Sequence, residues 1–286
     1  TLGTHPTDTD TDDDSHADGA EYAQGTDALD SLSPLKNGVL ELTAATDSAA
    51  ASVGPVLNGS MTVETWIRLS GADASGVIAR KTRADGGSDD FVLELDGGDL
   101  KLTYRTQDGT QNDVTLQSGI TSDDEWVHAA AVLDFPDGAD GTVTLYVYRS
   151  LTGLEETYRT NLEGGIAGGA GSLVLGDDTD ALEGTIDELR VWSGARSAGE
   201  IAANRSAPVA ASGALAAYYR FDDLGDSAAD MLNRFDSVAA SADAEDYALS
   251  PAGTAALTEL DSAAETDATY AYLTADSDGD GIADFW

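Results

Sequence analysis

Between residues 60 and 192, apolar side chains fall repeatedly on alternate positions, with clusters of Gly and Asp between the runs. A period of two marks strands that turn one face to a core. In SMTVETWIRL (60–69), Met61, Val63, Ile67 and Leu69 share one face, and Glu64, Trp66 and Arg68 share the other. DFVLELD (90–96) places Phe91, Leu93 and Leu95 on one side, and DLKLTYRT (99–106) does the same with Leu100, Leu102 and Tyr104. The short Gly-Gly-Asp connector between these two runs predicts a hairpin. NDVTLQS, EWVHAAAVLDF, GTVTLYVYRS, SLVLGD and GTIDELRVW continue the series, and turn-rich DFPDGADG precedes one of them. Eight or more strands separated by such turns predict an all-β chain, an antiparallel two-sheet sandwich or jelly roll. One short helix is expected at 197–204, where Ser197 can cap SAGEIAAN and Glu200 stands at the third helical position.

Composition narrows the setting. The 286 residues include 53 Asp and Glu against 14 Lys and Arg, a net charge of −39. The acids are spread along the whole chain. No basic face is left for a nucleic-acid backbone or an anionic membrane surface. Self-repulsion of this size opposes a compact state unless salt screens it. With 3 Lys, 11 Arg and no Cys, the chain resembles proteins of extreme halophiles; the alternative is an acidic, calcium-binding secreted protein from ordinary seawater. Forty-one per cent hydrophobic residues suffice for a core. The lack of Cys excludes disulfides and thiolate metal sites. No apolar run is long enough for a spanning helix, so membrane insertion is not expected. Thr1 stands where an initiator Met would, and we expect the chain to be a piece of something longer.

The succession SMTVETWIRL, DDEWVHAAAVLD, TVTLYVYRSLTG and LVLGDDTDALEGTIDELRVWSGARSAGEIAAN resembles a laminin G-like jelly roll of the concanavalin A-like lectin and glucanase superfamily. EGTIDELRVWSGARSAGEI is its most specific stretch, and ALAAYYRFDD (214–223) resembles a strand that opens or closes such domains. The resemblance covers residues 36–235 and implies two sheets of curved strands. It implies no particular ligand, because the architecture serves lectins, enzymes and spacers alike.

The flanks carry a different chemistry. In DTDTDDDSHADGAE (8–21), Asp10, Asp12 and Asp14 take positions one, three and five of a twelve-residue calcium loop. The His16 carbonyl takes seven, Asp18 nine and Glu21 twelve. Calcium seeks six to eight oxygens, which this spacing converges. Ser15 stands at position six, where Gly makes the sharp turn. In DSDGDGIADFW, Asp276, Asp278 and Asp280 take one, three and five, with Gly281 at six, the Ile282 carbonyl at seven and Asp284 at nine. Both ends resemble thrombospondin type 3-like calcium repeats, and LGTHPTDTD and QGTDALD resemble their connectors. The expected organisation is a calcium-binding linker at 1–35, the jelly roll at 36–235, an Ala- and Asp-rich extension with possible late strands at 236–275, and the start of a second calcium loop at 276–286. Read circularly, the tail runs into the head, so neighbouring copies joined head to tail are the expected partners.

Other candidates carry less. Asp187 and Asp222 are either a joint structural calcium site, as in some jelly-roll relatives, or edge carboxylates. His5, His16 and His128 are far apart in sequence, and His128 reads as a sheet-face residue. Trp66, Trp126 and Trp192 read as packing anchors rather than sugar platforms. Tyr146 and Tyr148 share a strand face that could line a sugar site. Glucanases on this fold present acid and base carboxylates on one strand; ELDGGD comes nearest and runs into a turn, so no enzyme is expected. Asn58-Gly59-Ser60 and Asn204-Arg205-Ser206 are N-glycosylation sequons expected in surface turns. The reading is an extracellular, cell-surface structural or adhesive module, stiffened by Ca2+ and arrayed as a filament or giant surface protein. A lectin-like module binding surface glycans is the alternative.

The charge generates the first prediction. Screening weakens from a Debye length of about 3 Å at 1 M salt to about 10 Å at 0.1 M. The melting temperature should therefore fall across that range at constant calcium. A melting temperature that does not move contradicts a halophilic chain.

Overall fold

The computed structural model describes residues 38–221 and 250–259, with interruptions at 52, 71–73, 84–87, 122–124, 137–139, 167, 170, 178, 207–208, 210–212 and 253–254. Two antiparallel sheets face each other. Sheet A contains β1 (Gly38–Leu42), β3 (Met61–Leu69), β8 (Val127–Asp134), β9 (Asp140–Arg149), β10 (Glu155–Glu163), β12 (Gly184–Trp192), β13 (Leu215–Tyr219) and β15 (Ala256–Glu259). Its order is β10-β9-β8-β3-β12-β1-β15, with β13 also paired to β12. Sheet B contains β2 (Ser48–Ala51), β4 (Gly76–Thr82), β5 (Asp89–Asp96), β6 (Asp99–Arg105), β7 (Gln111–Leu116), β11 (Leu173–Gly176) and β14 (Ser250–Ala252). Its order is β14-β2-β11-β4-β5-β6-β7. Consecutive strands often lie in opposite sheets, which makes the sandwich a jelly roll.

The alternating pattern sets the core. Met61, Val63, Ile67 and Leu69 of β3 pack inward with Phe91, Leu93, Leu100 and Leu102 of sheet B. The β5–β6 hairpin closes at Asp96 and Asp99 over Gly97 and Gly98, both at positive φ, the geometry that tight two-residue turns demand. Helix α1 (Ala198–Asn204) begins at Ser197 with both halves of a capping box, and buries Ile201 on Ala130 and Val132 of sheet A.

Strand β12 departs from plain alternation. Asp187 pairs with Trp66 and Arg190 with Glu64, so β12 gains one residue on β3 between these pairs. This β-bulge keeps Ile186 and Leu189 in the core and leaves Asp187 and Glu188 as consecutive buried acids. Glu188 takes a φ of 52°, a left-handed conformation that costs a non-glycine residue about 1–2 kcal/mol. The edge of β12 away from β3 is divided at the bulge: β1 pairs with Gly184–Ile186 and β13 with Leu189–Trp192.

Cations are scarce, and those of the described residues are all engaged. Arg80 meets Asp89 and Asp177, Lys101 meets Glu94, Arg149 meets Glu125 and Glu156, and Arg205 meets Glu155. Arg68 lies over Trp126, while Arg105 and Arg159 donate to side-chain oxygens of Gln111 and Thr142. The most enclosed is Lys81, with no exposed side-chain surface. Its Nζ donates to Asp90 Oδ2 (2.6 Å), the Gly169 carbonyl (2.7 Å) and the Thr82 carbonyl (3.3 Å). Three acceptors thus meet the three protons of an ammonium.

Removing Lys81 leaves buried Asp90 with the more exposed Arg83, 3.5 Å from its Oδ1, as its remaining cation. Lys81→Met should cost about 3–5 kcal/mol, and the double variant Lys81→Met/Asp90→Leu distinctly less. Urea titration of the three proteins measures both. A single variant as stable as the parent would show that the pair contributes nothing.

Candidate functional site

The outer face of sheet A carries most of the residues that could act chemically. Helix α1 and Arg205 cover the middle of that face, while β10 at its edge stays largely exposed. Trp66, Trp126 and Trp192 are almost wholly buried. Trp66 Nε1 donates to the Arg205 carbonyl at 2.6 Å, and its ring meets His128 and Tyr148 edge-on. The Arg205 guanidinium lies 3.5 Å from the Tyr148 ring centre, and Arg196 lies 4.1 Å from that of Trp192. Tyr146 packs on Ile201. The three tryptophans are therefore covered by the chain itself, while Tyr146 and Tyr148 stay half-buried and Tyr158 of β10 is exposed. The sequence pattern assigned Glu64 and Trp66 to the face away from the core; they lie there, yet each is 1 % exposed because of this second layer.

Below the helix lies a sealed polar network. Glu64 Oε1 accepts from Trp192 Nε1 at 2.8 Å, and Glu64 Oε2 is 3.5 Å from His128 Nε2. Glu188 accepts from Arg190, from the Tyr218 hydroxyl at 2.6 Å and from Arg220 Nε at 3.3 Å. Burial pushes the Glu64 carboxyl up, opposed chiefly by Arg190. Burial, then Arg190 and Arg205, holds His128 well below its ordinary range. Burial and Glu188 push the Tyr218 hydroxyl far up. These groups titrate in unusual ranges, and all of them are buried. Asp187 Oδ1 accepts from the Glu188 amide at 2.7 Å within the bulge. Asp222, its proposed calcium partner, lies outside the described residues.

Among the described residues an open groove of about 570 Å³ lies at one rim, within the usual size of small-molecule clefts. Three separate segments build it: Asn58 and Gly59 before β3, the β6–β7 turn from Thr106 to Thr110 with Asn112, and the end of β10 with Asn161 and Glu163. Ile166 ties them, exchanging both backbone hydrogen bonds with Gly59. Gly165 packs so closely that a Cβ there would stand 2.5 Å from the Gly59 carbonyl oxygen. Asp108 accepts from the Thr106 hydroxyl and from the Thr110 amide at 3.0 Å, which lowers its pKa to about 2. Gln107 Nε2 donates to Asn58 Oδ1 at 3.3 Å. Amides and carboxylates line the groove and no cation does, an arrangement suited to neutral, hydroxyl-rich ligands. The sequence hint was the amide-dense turn QDGTQN between two strands, which alternation treats merely as a connector.

The predicted calcium ligands Asp10, Asp12, Asp14, His16, Asp18, Glu21, Asp276, Asp278, Asp280, Ile282 and Asp284 lie outside the described residues, as does His5. The described residues contain no cluster of three or more metal-binding side chains. Of the two sequons, Asn58 is exposed at the groove. Asn204 is the half-buried last residue of α1 rather than part of a surface turn.

The geometry is that of an all-β jelly-roll module with a closed sheet face and an open rim. The laminin G 3 family model, described as the concanavalin A-like lectin/glucanases superfamily, matches residues 43–202. The chain belongs to that family. A solved protein from Bacteroides ovatus, provisionally designated a carbohydrate binding protein, aligns at TM-score 0.53 and 19% identity, over 79% of this chain and 61% of its own. This chain thus spans less than two thirds of that protein. The LG1–3 region of the laminin α2 chain aligns at TM-score 0.44 and 14% identity, over 55% of this chain and 31% of its own. A heptameric SAP-like pentraxin from Limulus polyphemus aligns at 0.39 and 14%, over 57% and 78%. At these identities the likenesses speak to fold alone. No curated protein matches the sequence.

The buried imidazole has a measurable consequence. Below about pH 6.5 the unfolded His128 takes up a proton that the folded one refuses, so stability should fall with pH from there. Glu64, which faces it, acts in the opposite sense at lower pH, because its raised pKa favours the folded state as it protonates. Between about pH 6.5 and 5 the parent should lose stability relative to His128→Gln by up to about 1.4 kcal/mol per pH unit. Parallel curves in denaturant titrations across that window would place the proton uptake elsewhere.

Proposed function

We propose that this domain is an extracellular structural and adhesive module, one unit of a calcium-stiffened surface assembly. The observation that carries this reading is the closed face of sheet A. Tyr146, Tyr148 and Trp192, rings that could serve a sugar, are packed on by helix α1 and by arginines of the same chain, and only Tyr158 of β10 stays exposed among the aromatic residues of the sheet's described strands. Sheet B supports it as well: its aromatic residues Phe91 and Tyr104 lie in the core. Its outer face shows the Lys101–Glu94 ion pair and the Thr103–Asp113 hydrogen bond. Such a body is a rigid bead. The Asp-spaced segments at 8–21 and 276–284 flank it, and Ca2+ there would neutralise repelling carboxylates and stiffen the joints between copies.

A second reading is a lectin-like module, favoured by the polar lining of the rim groove. The two readings separate in one set of measurements. Calorimetric titration in high salt should show calcium uptake that Asp278→Ala/Asp280→Ala diminishes. Light scattering should show calcium-dependent association that the same variant weakens. A glycan array should stay blank. Absence of calcium uptake overturns the stiffened-joint reading; a glycan signal lost in Asn161→Ala/Glu163→Ala selects the lectin.

A further inference from the structure

We propose that Asn58 carries an N-linked glycan and that the rim groove seats its first, neutral sugars. Two sequons are equivalent in sequence and differ in place. Asn58 is exposed. Its side chain accepts one 3.3 Å hydrogen bond from Gln107, and its Nδ2, the atom that bonds to sugar, donates to nothing among the described residues. Asn204 closes helix α1, where its carbonyl accepts from Arg190 Nη1 at 2.6 Å. The next carbonyl, of Arg205, accepts from Trp66, and the Arg205 side chain is held by Tyr148 and Glu155. A sugar on Asn204 would have to fit along the seam between helix and sheet. A sugar on Asn58 opens into a groove that Asn58 itself lines.

The groove matches a sugar in its chemistry. Asn112 Nδ2 is buried and has no hydrogen-bond partner among the described residues. A buried donor left unmade is costly, and a hydroxyl oxygen would satisfy it. Asp108 and Glu163 supply acceptors for hydroxyl protons, and Asp108 stays ionised down to about pH 2. Gln107 and Asn161 supply amides. No Lys or Arg lines the groove, so a sulfated or carboxylated sugar would find amide donors but no cation to offset its repulsion by Asp108 and Glu163.

The transfer is an ordinary displacement. The glycan arrives on a polyprenyl phosphate or diphosphate donor, supplied with a membrane transferase by the secreting cell. The Asn58 Nδ2–C1 bond forms, the C1–O bond to phosphate breaks, the lipid phosphate leaves and one amide proton passes to the transferase's base. Ser60 is needed for recognition before folding; afterwards its Oγ accepts from the Phe135 amide at 2.8 Å and pins the turn. A seated glycan fits the bead reading, because it would deny the groove to a foreign sugar.

The test uses the whole chain secreted from a cell that N-glycosylates. Amidase release converts a glycosylated asparagine to an aspartate, so peptide mass spectrometry before and after release reads occupancy at both sequons. Hydrogen exchange of residues 106–112 and 161–166 reads seating. The expected result is a glycan on Asn58, an unmodified Asn204, and exchange in both segments roughly fivefold faster after release. Asn58→Gln, which never carries the glycan, should show the faster exchange with an unchanged far-ultraviolet spectrum. An unmodified Asn58, or modification of Asn204 instead, overturns the assignment. A modified Asn58 with identical exchange before and after release overturns the seating. Calcium uptake and glycan-array signals are read on the same samples, so failure here is separable from failure of the bead reading.

Discussion

One extra residue in β12 organises sheet A. The strand meets β3 on one edge and both β1 and β13 on the other. The bulge at Asp187–Glu188 lets it turn between the two sets without losing its core residues. Its cost is a left-handed glutamate and two adjacent buried acids. Arg190, Arg220 and Tyr218 converge on Glu188 and hold it there. Arg190 also reaches the Asn204 carbonyl, so the charge cluster fastens the helix layer as well. Sheet pairing, buried charge and the closed outer face are thus one arrangement.

The acidic composition bears on this in a particular way. With few cations available, some of the described ones are placed where they do more than neutralise. Arg205 caps the helix, covers Tyr148 and meets Glu155. Lys81 ties β4 to β5 and to the loop at Gly169. Surface pairs contribute little at ordinary ionic strength, whereas these partly or wholly buried ones fix which segments sit together.

What could be read in the sequence was what is local. Met61, Val63, Ile67 and Leu69 declare the core face of β3 by spacing alone, the Gly97-Gly98 turn declares its hairpin, and Ser197 with Glu200 declares a helix start. What escaped was assembled from afar. Burial of Glu64 and Trp66 depends on residues from Trp192 onward folding back over them. The groove needs Asn58, Thr106–Thr110 and Asn161–Ile166 together, and no single window contains them. The bulge is hidden because Asp187-Glu188 reads as two ordinary polar positions until the partner register is known. The Asp loops at the ends rest on spacing alone, outside the described residues.

The way the arginines and lysines are held has a consequence for survival outside a cell. A protease that cuts after a basic residue must draw that side chain into its own pocket and extend the backbone around it. Here the basic side chains of the described residues are already gripped by a carboxylate, a carbonyl or another oxygen, or an aromatic ring, and many lie in strands. Cleavage after buried Lys81, Arg190 and Arg220 has to wait for the sandwich to open, and its rate is then governed by local unfolding. At those buried positions an acid-rich bead of this kind resists trypsin-like enzymes without any inhibitor or disulfide to protect it.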